Sequence, residues 1–338
     1  MKVWQIVGDG GIDALEQADR PSPAPGPGQV AVRVRANSIN YRDLNAVRAP
    51  GRVGIAFPRI PNSDGAGDVT AVGAGVTGLA VGDRVAGCFF QDWAAGGISA
   101  AAMASAQGGP IDGMLAEEVV LNAHGVVPVP DHLDYAEAAT LPCAALTAWN
   151  GLVVSGGLKA GETVLLLGTG GVSIFALQFC ALMGARAIVT SKSDGKLDRA
   201  RGMGAWRTIN YADTPDWAGT VREMTGGAGV DHVVEVGGGG TLEQSIEAVR
   251  VGGHIAMIGV LTQGAVNPIP ILRKSIRLHG IYVGSRAMFL DMNAAIAAGG
   301  LKPVIDRRFA FADAPAAYRC MEAAGHFGKI VIDFEGRT

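Results

Sequence analysis

The sequence predicts an α/β protein in which a doubly wound parallel sheet is inserted between two parts of an antiparallel β domain. Three observations predict this fold class: apolar runs broken by Gly, Pro, Asp and Asn in the first third of the chain, alternating strand and helix patterns in the middle, and isolated strand patterns near the end. We therefore predict a β domain formed by residues 1–126 and 300–338, and a parallel-sheet domain formed by residues 127–299.

The first domain is predicted from short apolar segments with turn residues between them. Strand patterns occur in QVAVRVRANSIN, GDVTAVGAGV, GDRVAG and LAEEVVL. Residues 91–113 are rich in Ala, Gly and Ser and show no alternation of apolar and polar residues, so we expect them to form a long surface excursion. Near the end of the chain, the strands PVIDRRFAF and GKIVIDF flank the helix DAPAAYRCMEAAG. A tail this short is expected to complete the first domain rather than to fold alone.

The second domain is predicted from strands that alternate with helices. A helical stretch, DYAEAATLPCAALTAWNGLV, leads to Thr163–Leu167, an apolar run typical of a strand buried on both faces. Four further strand candidates follow, in ARAIVTS, DHVVEVG, GHIAMIGV and RLHGIYVG. The amphipathic segments between the strands include IFALQFCALMG, DGKLDRARGMG and TLEQSIEAVRVG. This alternation is typical of a parallel sheet covered by helices.

Composition and charge narrow the classes of function. The chain has 28 basic and 31 acidic residues, a net charge of −3 and no long block of either sign, which is not the pattern of a nucleic-acid-binding protein. Its apolar stretches end well short of the roughly 20 residues that cross a bilayer. The four cysteines are far apart, which favours a reducing cytoplasm. We therefore expect a soluble, cytoplasmic protein with a small-molecule substrate, and neither a nucleic acid nor a membrane as partner.

A glycine-rich turn follows the first strand of the second domain, in LLLGTGGVSIFALQ. In a Rossmann domain such glycines permit a tight turn and let a pyrophosphate approach the N–H groups of the helix N-terminus. Ser173 occupies the third motif position, where Gly or Ala is usual. The turn predicts dinucleotide binding, and the alternative is a glycine-rich turn that binds no nucleotide. The predicted cofactor contacts are Gly168, Gly170, Gly171, Val172 and Ser173.

The end of the second strand indicates which nicotinamide cofactor binds. An enzyme that prefers NAD usually has Asp or Glu there to bind the ribose hydroxyls. Here Ser191 and Lys192 follow Thr190, and Lys196 lies one helical turn further on. A hydroxyl and two cations suit a 2′-phosphate, so the sequence predicts NADPH. The alternative is that both lysines are solvated surface residues. Asp194 lies beyond the strand end and is expected to cap the next helix.

These motifs and several others resemble one family along nearly the whole chain. The matching segments are SINYRDLNAVRA, PNSDGAGDVTAVGAGV with GDRV, ATLPCAALTAW, INY, VGSR and HFGKIVI. The chain resembles the medium-chain dehydrogenase/reductase superfamily, in particular its zinc-free branch of quinone oxidoreductases and enoyl reductases. The resemblance implies a Rossmann domain inserted between two parts of a GroES-like β domain.

The resemblance also identifies the positions at which zinc-dependent members bind their metals. Asn40 and Ser63 stand at two catalytic ligand positions, and only Cys143 matches a ligand, with Asp64 at a nearby carboxylate. One thiolate and one carboxylate do not make a tetrahedral zinc site. Cys88 stands alone where relatives carry the four cysteines of a structural zinc. We therefore predict no metal. Cys143 is expected to be a small buried hydrophobic residue, with a ligand or nucleophile role as the alternative.

Asn40 and Tyr41 are the predicted catalytic residues. By resemblance, Asn40 lies near the nicotinamide ribose and Tyr41 at the substrate end, where it either donates a proton or only packs. Asp43 is expected to pair with an Arg and anchor the loop. The resemblance implies further cofactor contacts, in addition to Asn40, at Thr147, Tyr211, Gly259, Val260, Val283, Ser285, Phe327 and Lys329.

Three functions are compatible with these features. The first is an NADPH-dependent reductase that transfers hydride to an activated C=C bond or a quinone, because alcohol oxidation without a Lewis acid loses its usual stabilisation of the alkoxide. The second is a metal-free alcohol or carbonyl dehydrogenase, and the third is a non-catalytic NADPH-binding protein. Relatives commonly pair through the strand that RLHGIYVG matches, so the resemblance implies a homodimer.

Overall fold

The structure, a computed structural model, describes residues 1–334, which form two compact units. The first unit comprises Met1–Leu146 and residues 284–334, and the second comprises Thr147–Val283. The predicted fold class is confirmed, since an α/β unit interrupts a β unit in the chain. Among residues 1–334, no helix combines the length and the apolar composition needed to span a membrane.

The elements are numbered in chain order. The strands are β1 (Lys2–Ile6), β2 (Leu15–Asp19), β3 (Gln29–Ile39), β4 (Asp64–Val72), β5 (Arg84–Gly87), β6 (Glu118–Asn122), β7 (Val126–Pro128), β8 (Thr163–Leu167), β9 (Arg186–Ser191), β10 (Arg207–Asn210), β11 (Val230–Glu235), β12 (Val249–Met257), β13 (Arg277–Gly280), β14 (Ile305–Ala310) and β15 (Lys329–Asp333). The α-helices are α1 (Tyr41–Arg48), α2 (Ala100–Met103), α3 (Tyr135–Ala138), α4 (Leu146–Trp149), α5 (Gly171–Leu182), α6 (Asp194–Gly202), α7 (Trp217–Met224), α8 (Gly239–Ala248), α9 (Ile269–Arg273), α10 (Arg286–Gly299) and α11 (Ala314–Glu322). Single π-helical turns, Leu141–Ala145 and Asn150–Val154, lie on either side of α4.

The first unit is built on a seven-stranded sheet in the order β14-β15-β3-β4-β5-β7, with β6 paired to β3. β3 is its longest strand and pairs antiparallel with β4 and β15. Ser38 lies opposite Asp64 in β4, and Ile39 lies opposite Ile330 in β15. The end of β3 and the beginnings of β4 and β15 are therefore neighbours. This register brings Asn40, Asp64 and Lys329 together, although they are far apart in sequence.

The second unit is a six-stranded parallel sheet in the order β10-β9-β8-β11-β12-β13. Its core contains Leu165, Ile188, Val233 and Ile255, one from each of the four central strands, and all four are completely buried. Because β8 and β9 pair on one side and β11 and β12 on the other, the strand order reverses between β8 and β11. In sheets of this type, ligands bind beyond the carboxyl ends of the strands at that reversal.

The borders of the two units differ from the predicted ones. Residues 127–146 and 284–299 belong to the first unit, whereas the sequence predicts them in the second. Hydrogen bonds explain this assignment: Arg286 Nε donates to the Val126 carbonyl at 3.0 Å, and Asn293 Nδ2 donates to the Pro128 carbonyl at 3.0 Å. Helix α10 is therefore attached to β7 by side-chain bonds that periodicity does not reveal.

The prediction of a surface excursion at residues 91–113 holds for residues 94–101, which are all exposed, but not for the buried parts on either side of them. Trp93 and Gln107 are buried, and so is Gln91. The Gln107 and Gln91 amides donate to the Cys88 carbonyl at 2.8 and 3.1 Å, and Gln91 also donates to the Gly125 carbonyl at 2.9 Å. Side-chain amides thus take the place of strand pairing and satisfy these buried backbone carbonyls. The buried parts of the segment therefore pack into the first unit without the alternation of apolar and polar residues that is typical of a strand.

Candidate functional site

The glycine-rich turn in the second unit connects β8 to α5. Gly168 has a φ of +74°, a left-handed conformation that favours glycine. No atom lies within 4 Å of the position where a Cβ on Gly170 would be. Helix α5 begins after Gly170 without a side-chain cap, so the N–H groups of its first turn are left for an anion. Gly171 and Val172 begin this helix and are half-buried. These features fit a pyrophosphate.

Ser173 has a structural role in this turn. Its hydroxyl donates to the Leu167 carbonyl at 2.6 Å, and the side chain is buried. The bond ties the first turn of α5 to the end of β8, which is the close packing that the third motif position requires. Thr190 Oγ1 accepts a bond from the Gly168 N–H at 3.3 Å and links the turn to β9.

Ser191 and Tyr211 lie at the carboxyl ends of neighbouring strands. Ser191 ends β9, and the Tyr211 N–H donates to its carbonyl at 3.2 Å. Tyr211 is half-exposed, Lys192 is exposed, and Lys196 is partly buried in the first turn of α6. The four residues predicted to contact the 2′-phosphate thus lie at one end of the sheet: Ser191, Lys192, Lys196 and Tyr211. Ser191 Oγ accepts the Ser193 N–H at 3.2 Å, which fixes the turn into α6.

The prediction that Asp194 caps α6 is wrong. Ser193 is the residue before the helix, and Asp194 is its first residue. Asp194 Oδ1 instead accepts a hydrogen bond from Asn210 Nδ2 at 3.0 Å. The carboxylate therefore connects α6 to the end of β10, a contact that depends on the strand order and is not visible in local sequence.

Of the remaining predicted contacts in the second unit, Thr147 lies in α4, whereas Gly259, Val260 and Val283 lie in the segments that follow β12 and β13. Thr147 is buried and Val260 is strongly exposed. Gly259 follows β12, and a Cβ there would lie 1.7 Å from the Val236 carbonyl oxygen. Val283 has a φ of +56°, which is strained for a β-branched residue. Its carbonyl accepts a bond from Asn150 Nδ2 at 2.7 Å.

Glu235, at the end of β11, is a site-supporting residue that sequence analysis missed. It is fully buried, and its Oε1 accepts bonds from the N–H groups of Gly237 and Gly238 at 2.7 and 3.0 Å and from Thr241 at 2.7 Å. Ser245 donates to the other oxygen. The Glu235 carbonyl accepts the Gly259 N–H at 3.1 Å. A carboxylate at the end of a buried strand and before a Gly-rich turn is the sequence signal that could have identified Glu235.

The other predicted site residues belong to the first unit. Tyr41 is the first residue of α1 and is 41% exposed. The expected pairing of Asp43 is confirmed: Asp43 Oδ1 accepts from Arg42 at 3.0 Å, and Oδ2 accepts the Asn40 N–H at 2.8 Å. Ser285 begins α10 as its cap and is buried, as is Phe327.

Lys329 and Asn40 form the centre of a buried polar cluster. Lys329 Nζ donates to the Ile39 carbonyl at 3.0 Å and to Asn40 Oδ1 at 2.5 Å. Asp64 is fully buried and accepts bonds from the Ser63 hydroxyl at 2.7 Å and from the Cys143 N–H at 3.2 Å. Burial raises the pKa of Asp64 to about 6, against the opposing effect of the Lys329 charge.

The surroundings of Cys143 disfavour the thiolate form of its side chain. Burial raises the pKa of its thiol well above the usual range, and the nearby Asp64 carboxylate raises that pKa further. Because the thiolate is the reactive and metal-binding form, a raised pKa favours the expected role as a small hydrophobic residue. Within the part of the chain that the structure describes, no group of three or more His, Cys, Asp or Glu side chains is arranged to hold a metal ion.

Three histidines lie on adjacent strands of the second unit. His232 is directly opposite His254, and the ring centres are 5.6 Å apart, while those of His254 and His279 are 5.8 Å apart. Ser155 Oγ contacts both His254 Nε2, at 3.1 Å, and His279 Nδ1, at 2.5 Å. Burial lowers the pKa of His254 to about 3. The group is thus a hydrogen-bonded packing cluster.

Comparisons with known proteins agree with this architecture. The family profile described as an alcohol dehydrogenase GroES-like domain matches residues 26–131, and the profile described as a zinc-binding dehydrogenase matches residues 171–298. A zinc-type alcohol dehydrogenase-like protein of Schizosaccharomyces pombe is 44% identical over 310 residues, which cover 89% of this chain and 90% of the relative.

Two solved structures are similar over almost the whole chain. One is an NAD-dependent alcohol dehydrogenase, with a TM-score of 0.90, 33% identity, and coverage of 98% of this chain and 99% of the other. The second is a mycobacterial quinone oxidoreductase, with a TM-score of 0.81, 27% identity, and coverage of 98% and 99%. These names represent two reaction types on one fold.

Proposed function

The chain belongs to the medium-chain dehydrogenase/reductase superfamily, as an oxidoreductase of the alcohol dehydrogenase and quinone oxidoreductase type, and we propose that it uses NADPH to reduce an activated C=C bond or a quinone without zinc. The observation that carries the proposal is the chemistry of the buried cluster around Asn40.

The residues of that cluster do not fit a zinc ion. Zinc in proteins is bound by thiolates, neutral imidazoles or carboxylates in a tetrahedral arrangement. The raised pKa of Cys143 keeps its thiol protonated, and Ser63 is a neutral hydroxyl already bound to Asp64. The Lys329 ammonium adds a positive charge beside Asn40, which opposes binding of a cation there. The proposed reaction therefore has no metal-dependent step, although one matching family profile is described as a zinc-binding dehydrogenase.

The second unit fits a nicotinamide dinucleotide at the glycine-rich turn and at the ends of β8, β9 and β10. When bound, the cofactor supplies the hydride. In the proposal the uncapped first turn of α5 holds the pyrophosphate, and Ser191, Lys192, Lys196 and Tyr211 hold the 2′-phosphate. Two cations and a hydroxyl in place of the strand-end carboxylate that binds ribose hydroxyls favour NADPH over NADH.

The first unit supplies the polar groups that the acceptor needs. Hydride addition to the β carbon of an enone leaves negative charge on the carbonyl oxygen, and the α carbon must then gain a proton. In the proposal the exposed Tyr41 hydroxyl donates this proton and is reprotonated from solvent. The Asn40 amide is the neighbouring hydrogen-bond donor, and its place is fixed by Lys329.

A steady-state screen tests this function. NADPH oxidation is followed with quinones, enones and aldehydes, and NADP⁺ reduction is followed with alcohols, each with and without a chelator. We expect turnover of quinones or enones that the chelator leaves unchanged, and no stoichiometric zinc by elemental analysis. The alternative, a metal-free alcohol or carbonyl dehydrogenase, is favoured by the names of the relatives and would appear as turnover of alcohols and aldehydes alone. One zinc per chain with loss of activity on chelation would contradict both.

A further inference from the structure

The second unit contains another glycine-rich turn, formed by residues 237–240 between β11 and α8, which we call the β11 turn. It is similar to the turn after β8, because both lead from a buried strand into a helix. A glycine-rich turn at a helix N-terminus can bind an anion through its free N–H groups. In the β11 turn, however, the four N–H groups are already bound by oxygen atoms of the protein.

A buried carboxylate binds the first two of these N–H groups. Glu235 Oε1 accepts from the N–H groups of Gly237 and Gly238 at 2.7 and 3.0 Å, and Glu235 is fully buried. The Glu235 carboxylate thus takes the place that an external anion would have at the start of α8. Helix α5, by contrast, begins without a side-chain cap, which leaves the N–H groups of its first turn for the pyrophosphate of the proposed function.

Thr262 binds the other two N–H groups from the segment that follows β12, residues 259–264, which we call the β12 loop. The Thr262 carbonyl accepts the Gly239 N–H at 3.0 Å, and the Thr262 hydroxyl accepts the Gly240 N–H at 2.9 Å. The N–H and the hydroxyl of Thr262 both donate to the Gly237 carbonyl at 2.9 Å. All three polar groups of Thr262 therefore attach the β12 loop to the β11 turn.

The two segments approach each other too closely for side chains on the turn. A Cβ on Gly238 would lie 2.8 Å from the Thr262 carbonyl oxygen and 3.2 Å from Val260 Cα. A Cβ on Gly239 would lie 2.4 Å from the Gly264 nitrogen. The contact with the β12 loop thus explains the glycines of the β11 turn, and no bound phosphate is needed to explain them.

We propose that Glu235 and Thr262 are positioning residues that hold the β12 loop where it receives the nicotinamide half of the cofactor. In a Rossmann sheet, a dinucleotide binds across the reversal of the strand order. With the adenosine half at the ends of β8, β9 and β10, the other half extends over the ends of β11 and β12, where the β12 loop begins. The identity of the cofactor rests on the proposed function, whereas the attachment of the loop to the turn does not.

The attachment lowers the free-energy cost of ordering the loop when the cofactor binds. Residues 260–264 are exposed, so a loop without these bonds would be ordered only on binding, and this cost would reduce the affinity. In the proposal the loop acts on the nicotinamide half alone. Loss of the attachment should therefore weaken binding of the whole dinucleotide and leave binding of its adenosine half unchanged.

Hydrogen exchange in the cofactor-free protein tests the attachment itself. Thr262→Val removes the hydroxyl that accepts from Gly240, and it should speed exchange of the Gly240 amide roughly two- to tenfold, the range that one net hydrogen bond gives. Thr262→Ser keeps the hydroxyl and should show the wild-type rate. Because Thr262 is exposed, both variants should fold. An unchanged Gly240 rate in Thr262→Val would overturn the attachment.

Calorimetric titration tests the effect on cofactor binding. The probe 2′,5′-ADP has only the adenosine half with its 2′-phosphate, whereas NADPH has both halves. Thr262→Val should raise the dissociation constant for NADPH roughly 3- to 30-fold and leave that for 2′,5′-ADP unchanged. Thr262→Ser should bind both probes like the wild type. Glu235→Gln keeps an acceptor oxygen but removes the charge, and it should show the same pattern as Thr262→Val with a smaller effect.

The titrations separate this inference from the proposed function. Equal losses for NADPH and 2′,5′-ADP in Thr262→Val, or no loss for NADPH, would overturn the positioning role. If the protein binds NADH instead, NADH and ADP replace the two probes and the same pattern is expected. Binding of neither dinucleotide would overturn both proposals. Absence of quinone and enone turnover, together with the expected binding pattern, would overturn the proposed function alone.

Discussion

Lys196 is the residue at which cofactor choice is most directly testable. It lies in the first turn of α6, just beyond the end of β9. A charge-assisted bond to a 2′-phosphate contributes about 1.5–3 kcal/mol. Lys196→Ala should therefore raise the dissociation constant for NADPH by roughly 10- to 100-fold, since 1.4 kcal/mol is a factor of ten. NADH binding should hardly change, because NADH lacks the phosphate. Fluorescence titration of both cofactors measures the two constants.

Ser191→Asp and a matched lysine variant complete this test. A carboxylate at the end of β9 should repel NADPH and offer NADH an acceptor for its ribose hydroxyls. Lys159→Ala removes an exposed lysine at the opposite end of the sheet, before β8, and should alter neither constant. Equal losses for both cofactors in Lys196→Ala would indicate a general defect, and no loss for either would exclude Lys196 from the phosphate site.

Individual site residues were predictable where a local motif marks them. Gly168, Gly170 and Ser191 lie next to strands that apolar runs predict, so their places follow from counting along the sequence. The partnership of Lys329 with Asn40 did not follow, because 289 residues separate them and only the pairing of β15 with β3 brings them together. By resemblance Lys329 is predicted to contact the cofactor, and in the structure its ammonium donates to the Ile39 carbonyl and to Asn40 Oδ1.

At the scale of elements, strands buried on both faces were the most predictable. β8 and β9 fall within their predicted segments, and β11 begins one residue before its own. The edge strand β13 also falls within its predicted segment, although it is largely exposed. β12 begins at Val249, four residues before its predicted segment, in residues that were predicted as part of the preceding amphipathic segment. The short strand β10 and helix α10 were not identified from their sequences. β10 has only four residues, of which Ile209 alone is deeply buried. Helix α10 is rich in Ala and lacks a clear polar face, and its hydrogen bonds to β7 carbonyls depend on tertiary structure.

The end of β12 should be intolerant of any side chain at Gly259. A Cβ there would lie 1.7 Å from the Val236 carbonyl oxygen, so Gly259→Ala must displace the segment that follows β11 or the end of β12. We expect a loss of about 1–3 kcal/mol in the free energy of unfolding, as for overpacking, and weaker NADPH binding. Thermal unfolding and fluorescence titration measure these effects.

Gly280 is the matched control for this substitution. It ends the neighbouring strand β13, and no atom lies within 4 Å of the position of its missing Cβ. Gly280→Ala should therefore leave both the unfolding midpoint and the NADPH affinity close to wild type. Equal behaviour of the two variants would show that the Gly259 backbone can move aside without consequence, and would remove the proposed link between this loop and the cofactor.

At the scale of the whole molecule, we propose a homodimer that pairs through β13. This strand is at the edge of the six-stranded sheet, and α9 directly before it exposes Leu272 by 80%. An open strand edge beside exposed apolar residues favours association with a second copy. Light scattering at micromolar concentration should give twice the chain mass of 34.6 kDa.

Leu272→Asp should shift this protein toward the monomer without lowering its unfolding temperature beyond the effect of dissociation. Val81, in the first unit, is also an exposed apolar residue, at 66%, and Val81→Asp is the control that should remain dimeric. A wild-type mass of one chain at micromolar concentration would contradict the dimer, and an unchanged mass in Leu272→Asp would place the interface elsewhere.

In the proposed reaction, hydride adds to a conjugated carbon rather than to a carbonyl carbon. NADPH carrying deuterium at C4 of the nicotinamide, incubated with the protein and an α,β-unsaturated ketone, tests it through the position of the label in the product. We expect a saturated ketone with deuterium at the β carbon and an unlabelled α proton from solvent. An allylic alcohol with deuterium at the carbinol carbon would contradict it and would identify a carbonyl reductase.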